Sequence, residues 1–333
     1  EYGEALMPGL NMSLVAASIM ILCFIANLLG IKTAARFQSV MVLGLLGALM
    51  LYIVIGLTHV KEYTPYTQLP MVMPNGFGGF FAAAFLLRLS LIGSEFISEF
   101  GDEMENPGKM IPLIMGISLF IVSLLYILIA IVATGVLPLE QIAGKNLAAT
   151  AKIIFSPGVY VAFIAGGIMI SLVTSLNAIF AWCTRGLYMA TEDGWLPSGF
   201  AVMNRFGTPY IFLTVFLVVG ILPILTGMTL TYVTILGNAV GAIFGLFPVF
   251  ALYNLAKRNP EAYRNAPFRL PVVLTKLLPL IAVLIYGYGI YSSWGFIGNT
   301  GWLLLLGYSV LVVVYIYLRE PYRVAQQLSR EGK

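Results

Sequence analysis

The chain is cut into successive apolar stretches of about 20 residues, and this repetition constrains it more than any single motif. A helix needs about 20 apolar residues to cross the hydrocarbon core of a bilayer. Nine stretches meet that need, near 11–30, 37–57, 78–100, 111–134, 158–183, 210–227, 230–255, 272–294 and 300–318. Polar turns such as Asn106-Pro107-Gly108 and Arg258-Asn259-Pro260 separate them. The composition agrees: 60% of the 333 residues are hydrophobic, 10% are charged, and the mean hydropathy is +0.95. A soluble domain carries about a quarter charged residues and needs polar cover that this chain lacks. The expected fold class is an all-α integral membrane protein with about nine transmembrane helices, forming one transmembrane domain over residues 1–333.

Several function classes lose support at once. The net charge of +4 is spread along the chain without a dense basic run, so nucleic-acid binding is not indicated. Cys23 and Cys183 sit inside apolar runs and read as small hydrophobes. His59 is the single histidine, so no metal-ligand cluster and no cofactor are expected. No Gly-rich ATP-binding loop is present, which argues against direct ATP drive.

The positive charges orient the spans. With the polar turn at 31–36 taken as cytoplasmic, 14 of the 18 Lys and Arg residues fall on that side, three on the other, and Arg88 within a span. The segments around 58–76 and 134–157 are then outside, and 257–271 and the C-terminus are cytoplasmic. Glu1 falls outside, and the expectation is that an odd number of spans precedes it. The connection 139–155 places Leu139, Ala143, Leu147, Ala151 and Ile154 near one helical face. It reads either as a short helix on the membrane surface or as a plain loop.

The third stretch carries the strongest chemical signal. Arg88 and Glu95 lie in an otherwise apolar run, and an ionised group in the bilayer usually faces a cavity or a partner. Between them, Ser90 to Ser94 contains small residues where the helix could unwind, freeing backbone groups for a carboxylate, an amine or an ion. Arg88, Leu89, Ile92, Gly93, Ser94 and Glu95 are therefore the candidate substrate-binding residues. The competing reading is an Arg88–Glu95 pair buried for packing. Seven residues of unbroken helix span about 10 Å, which favours separate roles. In the fifth stretch, Ser171, Thr174 and Ser175 are candidate ion ligands or else hydrogen-bond back to their own helix. Gly237, Gly241 and Gly245 read as a surface that lets another helix approach closely.

Four groups of motif residues lie along the chain: Gly93-Ser94-Glu95, Glu103, Asn106-Pro107, Lys109 and Ile111-Pro112; Asn177-Ala178, Arg185, Tyr188-Met189-Ala190 and Asp193-Gly194 through Pro197; Pro260 with Ala266 through Pro271; and Lys32, Ala34, Arg36 and Gln38. On these residues the chain resembles the amino acid permeases of the amino acid–polyamine–organocation superfamily. In that order the groups are similar to the family's sixth span and following turn, its eighth span and exit loop, the loop between spans ten and eleven, and the turn between spans four and five. The resemblance implies spans four to twelve of a twelve-span fold with a five-plus-five inverted repeat. It departs at Leu45, where many members carry a coupling lysine, and near Leu89, where an aromatic gate is common.

The expected function is a secondary active transporter of amino acids that works by alternating access in the cell membrane. Its expected partners are the amino acid, a coupling ion (H⁺ or Na⁺) and lipid. A polyamine or other organic-amine carrier and a non-transporting receptor or accessory subunit are the alternatives. A membrane enzyme would need convergent His, Asp or Cys residues, which the sequence does not offer.

Overall fold

The computed structural model describes residue 9 and residues 11–61, 73–228 and 230–331. Nine apolar helices account for most of them: α1 Met12–Leu28, α2 Ile31–Leu57, α3 Gly76–Leu91, α4 Pro107–Val136, α5 Pro157–Glu192, α6 Tyr210–Thr226, α7 Leu230–Arg258, α8 Val272–Gly295 and α9 Ile297–Val324. Six contain stretches long and apolar enough to cross a membrane, and those in α1, α3 and α6 are shorter. Among the described residues there is no strand, only an isolated bridge between Met203 and Pro209. The fold is that of an all-α integral membrane protein. Large apolar side chains line its exterior, with Val40 71% and Leu284 72% exposed, as a lipid-facing surface requires.

Several boundaries differ from expectation, each for a local reason. Residues 31–36 are not a turn but the start of α2, because Gly30, at φ +104°, turns the chain within one residue. The third segment stops being α-helical at Leu91 instead of running to 100. The connection 139–155 is two short helices, Leu139–Ile142 and Ala148–Ile154, because Gly144 at φ +73° interrupts a single helix. The second docks onto protein, with Thr150, Ala151 and Ile154 buried. The expected outer segment 58–76 lies largely outside the described residues.

The chain divides into two compact units. The first comprises residues 1–65, 124–227 and 315–333; the second comprises 66–123 and 228–314. In the first, Tyr52 stacks on Phe163 at 5.4 Å between ring centres, and its hydroxyl lies 2.7 Å from Thr150 Oγ1. A π-helical turn at Ile164–Met169 interrupts α5. Gly167 lies in that turn, and a Cβ there would come within 2.8 Å of Ala48 Cβ on α2. In the second unit, Phe85 of α3 fills the space over Gly289 of α8, and the Tyr288 hydroxyl donates to the Gly78 carbonyl at 2.9 Å.

Two glycines in the first unit separate rigid from adaptable packing. A Cβ on Gly56 would lie 2.3 Å from Val132 Cγ1 and 3.3 Å from Ile154 Cδ1, whereas one on Gly220 would meet the mobile end of Met20. Val132 is β-branched and fully buried, so it has no free rotamer to retreat into. Gly56→Ala is expected to lower stability by about 1–3 kcal/mol. Gly220→Ala is expected to cost much less, because Met20 swings away. Thermal unfolding in detergent, followed by loss of the monodisperse peak, checks the contrast.

Candidate functional site

The second unit contains the interrupted helix. Helix α3 runs to Leu91, Ile92 turns extended (φ −66°, ψ 140°), and Gly93 takes φ +135°. That φ is strained for any residue with a side chain, so glycine is required by the backbone. Its Cβ position faces open space, so no steric neighbour imposes the residue. From Ser94 to Glu103 the chain continues as a 3-10 helix, ending at an extended Met104. Asn106, at φ 54°, then sets the start of α4. Where α3 stops, its last carbonyls lose the next turn that would have donated to them. Such a break exposes backbone dipoles of both signs.

Glu95 belongs to the break itself. It is exposed, and its Oε2 accepts the Gly93 N–H at 2.9 Å. Its carboxylate thus holds the turn that separates the two helices. Ser98 Oγ donates to the Glu95 carbonyl at 2.8 Å and supports the first 3-10 turn. Ile92 and Gly93 are exposed and Ser94 half-buried. Leu89 is helical, but its side chain lies outside the described residues.

Arg88 turns elsewhere. Its Nη2 donates to the Asn238 carbonyl of α7 at 3.2 Å and lies 3.5 Å from Asn238 Oδ1. The guanidinium also lies 5.2 Å from the centre of the Tyr286 ring and 5.8 Å from that of Phe85. The structure therefore does not bring Arg88 and Glu95 together; each has its own partners. A Cβ on Gly241 would lie 2.9 Å from Arg88 Nη2, and one on Gly245 would lie 3.1 Å from the Tyr286 ring. These glycines admit large side chains, not a close helix backbone, and Gly237 faces open space.

The serine and threonine cluster of α5 does not converge. Ser171 Oγ donates to the Ile168 carbonyl at 2.7 Å, and Thr174 Oγ1 to the Ser171 carbonyl at 2.8 Å. Ser175 is exposed, while Thr174 is buried. This is the back-bonded arrangement that satisfies a hydroxyl inside an apolar helix.

Two polar assemblies escaped sequence reasoning. In the first unit, Asn177 Nδ2 donates to Gln38 Oε1 at 2.9 Å, and its Oδ1 accepts from Asn27 Nδ2 at 2.9 Å. Asn27 also donates to the Cys23 carbonyl, and Thr208 Oγ1 donates to the Asn27 carbonyl at 3.2 Å. This ladder ties α1, α2, α5 and the 204–209 turn together. Farther along the same unit, Arg319 Nε donates to the Gly194 carbonyl at 2.9 Å and the Tyr315 hydroxyl to the Trp195 carbonyl at 2.6 Å. Arg323 covers the Trp195 ring at 4.5 Å. The available signal was a lone amide within an apolar run, as at Asn27 and Asn238.

A family model for amino acid permeases matches residues 9–318. A methylthioribose transporter of Bacillus subtilis (strain 168) is 27% identical over 321 residues, covering 94% of this chain and 66% of the relative. The branched-chain amino acid permease BcaP of the same organism is 27% identical over 310 residues, covering 90% and 62%. Its serine/threonine exchanger SteT is 24% identical over 282 residues, covering 83% and 62%. The chain spans less than two thirds of the length of these relatives.

Proposed function

The chain belongs to the amino acid permease family, and from that premise we propose that it serves a secondary transporter moving an amino acid across a membrane by alternating access. The family is one of permeases, not enzymes. The observation that carries the proposal is the break between Leu91 and Ser94 inside an apolar segment. Non-helical backbone at membrane depth is tolerated where it lines a cavity. In broken-helix transporters such backbone holds the charged ends of the solute.

The roles follow from position. The backbone of Ile92 and Ser94, on either side of Gly93, binds the amino acid's charged end, while the Gly93 N–H stays on Glu95 Oε2. Glu95, held on the Gly93 N–H, stands beside it as a partner for the solute amine or for a coupled proton. The coupling ion is H⁺ or Na⁺. Relatives bear names as different as methylthioribose, branched-chain amino acid and serine/threonine carriers, so the side-chain pocket must be read from this chain. The guanidinium of Arg88, one turn before the break, opposes polyamines and other cationic solutes by like-charge repulsion. We place the protein in the cell membrane with its C-terminus cytoplasmic.

Uptake by the complete protein in proteoliposomes tests the function. At least one radiolabelled L-amino acid is expected to accumulate and to be displaced by unlabelled solute. Gly93→Ala should cut that uptake severalfold, because a Cβ at φ +135° strains the break. Absence of uptake by correctly folded protein, or full activity in Gly93→Ala, would refute it.

The orientation is tested separately. With Cys23 and Cys183 replaced, single cysteines at Lys145 and Asn265, both exposed, are offered an impermeant thiol reagent on intact cells. Position 145 is expected to react and position 265 to stay unlabelled until the cells are opened. The reverse pattern would invert the topology.

A further inference from the structure

The cluster around Arg88 has more donors than acceptors. Arg88 Nε and the Nδ2 of Asn238, which is fully buried, have no hydrogen-bond partner among the described residues. Both are N–H donors, and the cluster carries a positive charge. The rings of Tyr286 and Phe85 offset part of that charge through their π faces. They do not replace an anion. Buried donors left unmade are costly, and an intramembrane arginine marks a partner or a solute path. Gly241 lets the guanidinium reach α7, and one turn earlier on α7 the Cβ position of Gly237 has no neighbour within 4 Å.

We infer that Arg88 Nε and Asn238 Nδ2 form a carboxylate subsite, and that the amino acid carried has a carboxylate on its side chain. The inference rests on the reading of the α3 break as the amino acid site. An arginine presents Nε–H and one Nη–H side by side, a fork that matches the two oxygens of a carboxylate. Asn238 Nδ2 supplies a further donor. Arg88 precedes Ile92 by four residues, about 6 Å along the helix. One carboxylate at the break and a second at Arg88 therefore fit the two ends of a short acidic amino acid.

Isothermal titration of the complete protein with L-glutamate, L-aspartate, L-leucine and sodium chloride tests this. An acidic amino acid is expected to bind, and Arg88→Gln to weaken it about tenfold or more. Arg88→Lys keeps the charge but lacks the Nε donor, and should weaken binding almost as much while preserving the fold. Any L-leucine binding should survive both changes. Chloride competing as well as the acidic amino acids would reduce the subsite to an inorganic-anion site and overturn the substrate class. Binding of L-leucine without the acidic amino acids, or acidic binding indifferent to Arg88, would overturn the inference and leave the transport reading standing. Failure to bind any amino acid would remove that reading along with it.

Discussion

In hydrocarbon, a backbone N–H or C=O without a partner costs several kcal/mol, and no water is at hand to accept the bond. That constraint makes the spans helical and makes each departure from the helix meaningful. The described helices depart from regular α geometry at three prominent places: Ile92-Gly93 after α3, the π turn Ile164–Met169, and Gly298 at the start of α9. The π turn keeps its backbone bonds in a wider register and lets Gly167 close on Ala48. Only the first is followed by ten residues of 3-10 helix bearing a carboxylate that holds the turn.

Two polar assemblies treat their buried groups in opposite ways. In the first, the amides of Asn27, Asn177 and Gln38 pair donor to acceptor, and Thr208 joins them through a backbone carbonyl. A satisfied network of this kind fixes the register of packed helices. In the second, Arg88 and Asn238 meet but leave two donors over. An unmade buried donor does not by itself mark a site, since Arg323 Nε of the first unit is another; at Arg88 two such donors lie in one contacting pair.

Much of the fold was legible in the sequence, because span length and apolar runs answer to bilayer thickness alone. Each of the nine helices lies on a predicted stretch, and the break at Gly93 falls among the small residues flanked by Arg88 and Glu95. Boundaries set by single backbone angles were not legible. Gly30 and Gly144 look like any other glycine until φ is known. Side-chain partners were hidden for a related reason. Asn238 sits among glycines that suggested helix packing, and only the direction in which Arg88 leaves α3 shows that it matters. Ser171 and Thr174 had the composition of an ion site, but their hydroxyls are turned into their own helix.

The central claim is that backbone at Ile92–Ser94 holds the charged end of an amino acid. Cryo-electron microscopy of the complete protein in lipid, with a transported amino acid at saturating concentration, addresses it most directly. The account predicts solute density with its carboxylate or amine within hydrogen-bond distance, about 2.7–3.2 Å, of that backbone. A helix continuous through Gly93, or solute bound elsewhere with the break untouched, would contradict it.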